Sequence, residues 1–495
     1  MTKDEHDKNS YKESLKATSL FGGVQVYNIL IGIIRSKFVA VLLGPVGMGI
    51  NGLLISATDL IMSLTNLGLG TSAVRDIAEA NATQDAGKIA LVIRVFRRLV
   101  WLTGLLGAVI CLLFSPYLSY VTFGNYQYTI AFVILSSSVL FKQLASGQIA
   151  LLQGMRKYAD MAKANVTGNT IGLFLTVPLY YLWGLDAIVP VLIITSVISF
   201  ILSYYYSNKV KIEKVKITTK SIKKEGKGML KMGFFISLQG LLSVGASYLV
   251  RIFISNKGGL DDVGLFTAGF AIINTYVGLV FTAMGTDYYP RLSAVSSGSE
   301  EFNKTINQQA EISLLLLAPI IAGFIIFIKP VITILYSSKF LPVEGLIYWA
   351  ILGIFFKATS WTIAYSFLAK GDTTAFFWSE LVAIIYTTAF NILGYMYWGL
   401  TGLGISFLVG YIVYLIQVWI IAGKRYHIHF QKGIYKVFSI QFLLSALCIV
   451  LVLLAPMTIR YILGSLFVVF SFYYSYQELD KRIDINDLIK KKIRR

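Results

Sequence analysis

Fourteen stretches of about 20 or more apolar residues run through this chain, and that is the length a helix needs to cross a hydrocarbon layer about 30 Å thick. They fall at 17–43, 46–68, 95–122, 128–152, 164–184, 186–206, 230–255, 262–288, 309–330, 343–368, 373–398, 400–423, 436–455 and 458–478. Composition agrees: 56% of residues are apolar, only 14% are charged and the mean hydropathy is +0.69. A soluble globule carries about 25% charged residues, so the chain reads as an all-α membrane protein of about fourteen transmembrane helices. Lys and Arg set its orientation, because cytoplasmic loops collect them. With the N-terminus inside, the outer loops 44–46, 115–127, 183–186 and 398–401 hold none, whereas Arg94, Arg97, Arg98, Arg156, Lys157, Lys163, Lys424 and Arg425 fall on the inner side. Lys257, Lys329, Lys339 and Arg460 are the exceptions. Both termini are expected in the cytoplasm.

The first twelve runs are a duplication. Arg35 and Arg75 recur as Arg251 and Arg291, each pair 40 residues apart, at an offset of 251 − 35 = 216. Lys142 and Lys357 differ by 215, as do Trp183-Gly184-Leu185 and Trp398-Gly399-Leu400, while Gly154 and Gly371 differ by 217. Six crossings per copy give both copies one orientation, so they should be related about the membrane normal and enclose a cavity. The expected organisation is an N-lobe at 1–206, a basic cytoplasmic linker at 207–229 and a C-lobe at 230–424. Two further helices follow at 425–478, then a basic amphipathic tail at 479–495 that suits a membrane surface.

The net charge of +19 does not point to nucleic acid, since the basic residues sit in short segments between apolar runs rather than on one solvated face. Lipid headgroups are the expected neighbours of those segments. Cys111 and Cys448 lie inside apolar runs, and His6, His427 and His429 are too scattered for a metal site. No catalytic motif and no cofactor signature are present. The glycines at 44, 47, 49 and 52 lack the strand and lysine of a phosphate loop and read as a tight outer turn with close helix contact.

Ionised residues inside the runs cost roughly 2.5–3.5 kcal/mol each at a bilayer centre, so they mark cavities or partners. Arg35, Lys142, Arg251 and Lys357 are such residues, with Arg75 and Arg291 matched by spacing at the ends of their hairpins. Arg251 lies close enough to its helix end to snorkel. Gln25, Asn28 and Arg35 share one helix face, and Gln239, Ser243, Ser247 and Arg251 step by four. Their amides and hydroxyls suit either interhelical hydrogen bonding or cavity lining. The acidic candidates are Asp59, Asp287 and Glu380.

The Arg-bearing first run, its turn Gly44-Pro45-Val46-Gly47-Met48-Gly49 and the closing Tyr288-Tyr289-Pro290-Arg291-Leu292-Ser293 together resemble the polysaccharide transporter family. This is the O-antigen (Wzx-type) flippase group of the multidrug/oligosaccharidyl-lipid/polysaccharide (MOP) exporter superfamily. The resemblance implies a V-shaped, alternating-access bundle in a bacterial inner membrane that moves an undecaprenyl-diphosphate-linked oligosaccharide. Arg35, Lys142, Arg251 and Lys357 would then be cavity cations, with Arg75 and Arg291 beside them and Gln25, Asn28 and Gln239 as polar lining. Asp59, Asp287 and Glu380 would be candidates for coupling to a proton or sodium gradient. Other polysaccharide-assembly membrane proteins would be partners. Rivals are a drug or toxic-cation exporter of the same superfamily, which needs unpaired intramembrane carboxylates, and a membrane sugar polymerase or ligase, which needs a large outer loop.

Overall fold

The computed structural model describes residues 3–210, 212 and 219–483, and every regular element among them is helical. Fourteen α-helices follow in order: α1 Lys3–Asn66, α2 Leu69–Ala82, α3 Ala86–Leu113, α4 Ser115–Phe123, α5 Thr129–Gly154, α6 Tyr158–Trp183, α7 Ile188–Ser207, α8 Thr219–Ala271, α9 Gly278–Ala294, α10 Glu300–Leu335, α11 Glu344–Ala369, α12 Thr373–Tyr426, α13 Lys432–Leu454 and α14 Met457–Ile483. They do not correspond one to one with the predicted spans. Helix α4 has 9 residues and α2 has 14, too short to cross, whereas α1, α8 and α12 each exceed 50. Among the described residues ten helical runs are long and apolar enough to cross a bilayer, and the chain is a multi-pass membrane protein. The centre of the predicted linker, 213–218, and the tail beyond Ile483 lie outside the described residues.

Four of the ten runs, at 23–66, 158–207, 237–294 and 373–426, are 44 to 58 residues long. Each is broken at a glycine with positive φ: Gly44 at 67°, Gly184 at 55°, Gly259 at 83° and Gly399 at 57°. Only glycine takes that backbone without a steric penalty. After the first break, Pro45 enters the next helix at a position where its missing N–H costs nothing. The breaks repeat, since 259 − 44 and 399 − 184 both equal 215. Their angles repeat as well, with ψ −169° at Gly44 and −176° at Gly259, and −128° at Gly184 and −139° at Gly399.

A second turn carries the same register. The Lys157 N–H donates to Leu152 O and the Arg156 N–H to Gln153 O; at the matching turn of the second copy, Asp372 donates to Phe367 O and Gly371 to Leu368 O. The residue in the left-handed conformation is Arg156 in one copy and Gly371 in the other, so Gly371 matches Arg156 rather than the Gly154 that sequence spacing suggests. The register also separates the two arginines: at an offset of 215 the equivalent of Arg251 is Ser36. A one-residue step turns a helical side chain by about 100°.

By contacts the chain divides into a unit of residues 1–264 and a unit of residues 265–495. In the first, α5 packs on α3 and α7, and α6 on α1 and α7. Its core gathers Leu69, Ile77, Phe96, Leu99, Leu151 and Met229. Residues 230–264, which sequence assigns to the second lobe, group with this unit, and two close backbone approaches lie among their contacts. A methyl added at Gly68 would meet Gly233 O, and one at Gly49 would meet Leu260 O. In the second unit α11 packs along α12, and α10 packs on α11, α13 and α14. Its core gathers Tyr288, Phe302, Phe367, Val418 and Tyr426.

Candidate functional site

Within the first unit the structure brings together three of the predicted ionised residues. Lys142 on α5 reaches across to α1, where its Nζ stands 3.3 Å from Asp59 Oδ1 and 3.5 Å from Thr58 Oγ1. Asp59 also attracts Arg251 of α8, whose Nη1 donates to Ser247 Oγ at 2.7 Å. The spacing of four between Ser247 and Arg251 puts both on one helix face, which is why the hydroxyl meets the guanidinium. Lys142 is about a quarter exposed and Asp59 about half, so the pair faces an accessible space and its net contribution to stability is small.

Further along α1 and α5 the same two helices exchange neutral hydrogen bonds. Gln143 Nε2 donates to Asn66 Oδ1 at 3.2 Å and to Thr103 Oγ1 of α3 at 3.1 Å. Arg35 lies elsewhere in the unit. Its Nη2 donates to Asn169 O on α6 at 3.3 Å, and its Nε is buried with no hydrogen-bond partner among the described residues. Asn169 Nδ2 in turn donates to Asn28 Oδ1 at 2.9 Å, while Tyr27 bonds Thr170. Gln25 is exposed and Gln239 half-buried. Asn169 is the residue that sequence reasoning missed; it lies in a polar patch, Asn165-Val166-Thr167-Gly168-Asn169-Thr170, that could have flagged it.

In the second unit, Lys357 and Glu380 line one cavity of about 550 Å³ with Trp361, Tyr365, Phe407, Tyr411 and Tyr414. The Lys357 ammonium lies 5.5 Å from the ring centres of Phe281 and Tyr411 and 5.8 Å from that of Phe407, within cation–π range. Glu380 accepts a hydrogen bond from Tyr414 Oη. The aromatic residues were not singled out from sequence, because at helical spacing they look like ordinary core.

Arg75, Arg291 and Asp287 are exposed. Arg75, on the separate helix α2, pairs with its neighbour Asp76 at 2.9 Å, and more than half of its side chain is exposed. Arg291 donates to Gln309 Oε1 at 2.8 Å and stands 3.8 Å from Asp287, which is largely exposed. No cluster of His, Cys, Asp and Glu suited to a metal occurs among the described residues.

Long apolar helices broken at glycines, repeated within one chain and carrying ionised groups inside their apolar runs, define a multi-pass membrane fold. Its fold is similar to that of solved transporters. The lipid II flippase MurJ in an inward closed conformation matches with a TM-score of 0.71 at 15% identity, covering 94% of this chain and 99% of that one. An inward-facing multidrug resistance MATE family transporter of the MOP superfamily matches at 0.66 and 17%, covering 82% and 94%. The eukaryotic MATE transporter AtDTX14 matches at 0.56 and 13%, covering 87% and 99%. Residues 38–344 match the family described as polysaccharide biosynthesis protein, and the chain belongs to that family. Among curated proteins, no sequence matches it.

Proposed function

We propose that the protein is a flippase that carries an undecaprenyl-diphosphate-linked oligosaccharide across the bacterial inner membrane by alternating access. The observation that carries this reading is the Asp59–Lys142–Arg251 cluster on three apolar helices, set in a chain of the polysaccharide biosynthesis family. A diphosphate needs fixed cations, and Arg can bond two of its oxygens at once. Release needs a competitor, and Asp59 is one. Protonating Asp59, or binding sodium to it, would free Lys142 and Arg251 for phosphate, and ionising it would return them to the carboxylate. That exchange would couple transport to an ion gradient, with Asp287 and Glu380 as further candidates. Arg35, Gln25, Asn28 and Gln239 would line the path.

Reading the four glycine-broken runs as hairpins gives 10 + 4 = 14 crossings, the number expected from sequence, with both termini cytoplasmic by the Lys/Arg bias. On this reading the first twelve form the two six-helix lobes at 1–206 and 230–424. Helices α13 and α14 would meet the lipid tail. A drug or toxic-cation exporter is the rival reading, favoured by Glu380 in its aromatic cavity.

The test is export of a lipid-linked glycan in cells and in proteoliposomes. Arg35→Ala and Lys142→Ala should each reduce export at normal abundance, and Arg35→Lys should restore part of it. Unchanged export from the Arg35→Ala, Lys142→Ala, Lys357→Ala triple variant would end the proposal. Drug resistance without glycan export would favour the rival.

A further inference from the structure

The register of the repeat allows the two copies to be compared position by position, and they differ sharply around their shared lysine. In the first copy Lys142 has Asp59 beside it. The position matching Asp59 in the second copy is Asn274, and among the described residues no carboxylate lies within ion-pair distance of Lys357. Aromatic rings stand there instead. Trp361, Phe407, Tyr411 and Tyr414 replace Ser146, Leu192, Ser196 and Ser199 of the first copy, and Glu380 replaces Asn165. The fold supplied small and aliphatic side chains at these places once, so packing alone does not require rings. In the second copy the rings wall a cavity.

The cavity's chemistry is specific. At about 550 Å³ it lies within the roughly 300–1,000 Å³ range of small-molecule sites, with room for more than one pyranose ring. Flat aromatic faces stack on the C–H faces of sugars, and Tyr hydroxyls supply hydrogen bonds at their edges. Glu380, oriented by Tyr414, can accept from sugar hydroxyls. The Lys357 ammonium, flanked by three rings and lacking a carboxylate, is short of an anion, while Glu380 repels one from its own side of the cavity. We propose that this cavity is a subsite for an acidic sugar, a glycosyl residue carrying a carboxylate, with Lys357 binding the carboxylate, Trp361 and Tyr411 stacking on the ring and Glu380 accepting its hydroxyls. The proposal rests on the flippase reading only for the source of the glycan.

The test uses the full-length protein in lipid nanodiscs with the methyl glycosides of glucuronic and galacturonic acid as probes, and methyl glucoside as the neutral control. Trp361 lies in the cavity wall, so binding should change tryptophan fluorescence saturably, and Trp361→Phe should remove that change. At least one uronide should bind about tenfold or more tightly than the glucoside, a preference worth about 1.4 kcal/mol. Lys357→Met should abolish the preference. Asn274→Asp, which puts a carboxylate at the position matching Asp59, should weaken uronide binding without removing any cavity side chain. No saturable response to either uronide, equal binding of uronide and glucoside, or a preference untouched by both variants would overturn the proposal. So would saturable binding of tetraphenylphosphonium that is lost in Glu380→Gln. Uronide binding by a protein that fails to move lipid-linked glycans would sink the flippase reading and leave the subsite standing.

Discussion

Gly49 and Gly264, which the repeat register matches to one another, hold the first unit's helices backbone to backbone, and filling them should part the helices by a calculable amount. A methyl at Gly49 would stand 2.0 Å from the Leu260 carbonyl oxygen, and one at Gly264 would stand 1.9 Å from the Pro45 carbonyl oxygen. Leu260 and Pro45 are matched by the same register, so the contact has a local two-fold character. Ordinary contact begins at 3.4 Å, so at either point the backbones must part by about 1.5 Å. A carbonyl held in a helix cannot rotate away as a side chain would. Overpacking of this kind costs about 1–3 kcal/mol, which reduces the population of this arrangement roughly 5- to 150-fold. Gly49→Ala and Gly264→Ala should have nearly equal effects. The double variant should cost less than their sum, because helices already parted by one methyl accommodate the other. Hydrogen exchange in membranes should show faster exchange at 44–52 and 258–264 in each variant. Gly32→Ala is the control: nothing lies within 4 Å of its added methyl, and helix propensity favours Ala by about 1 kcal/mol. Unchanged exchange at both segments in both single variants would refute the reasoning.

The repeated turn makes a paired prediction. Arg156 occupies a left-handed conformation that costs a non-glycine residue about 1–2 kcal/mol, so Arg156→Gly should raise thermal stability or leave it unchanged, and Gly371→Ala should lower it by about 1 kcal/mol. Equal loss from both would show that the register is misassigned. At the same turn of the second copy, Asp372 is partly desolvated, which opposes ionisation, but the Ala375 N–H, Tyr426 Oη and Arg425 outweigh this and hold its carboxyl below the ordinary carboxylate range. A depressed carboxylate contributes stability that is fully present above its unfolded-state value and lost as pH falls through the folded one. The thermal midpoint of Asp372→Asn should therefore lie below that of the parent at neutral pH, with the gap closing on acidification below about pH 4. A gap that does not change with pH would assign the loss to packing.

The candidate site was legible in sequence to different depths. Arg35, Lys142, Arg251, Lys357, Asp59 and Glu380 stood out because an ionised group among apolar residues is costly wherever the helix lies. Their partners did not. That Lys142 meets Asp59, 83 residues away, depends on how α5 crosses α1, and no local pattern encodes a crossing. Asn169 and the rings around Lys357 escaped because an amide or an aromatic residue in a helix is equally consistent with packing.

Sequence by itself determined the helical class, the membrane setting and the duplication, since apolar length, charge asymmetry and repeated spacing are properties of the chain read one residue after another. It also placed the breaks near Gly44, Gly184 and Gly399, where small residues interrupt long apolar runs. Tertiary structure decided the register of the repeat. Spacing allowed 215, 216 or 217, and only the backbone angles at the matched glycines chose 215. It also grouped residues 230–264 with the first set of helices, where Gly49 and Gly68 meet Leu260 and Gly233 backbone to backbone. Close approach of two backbones is a property of the pair, and neither segment carries it alone.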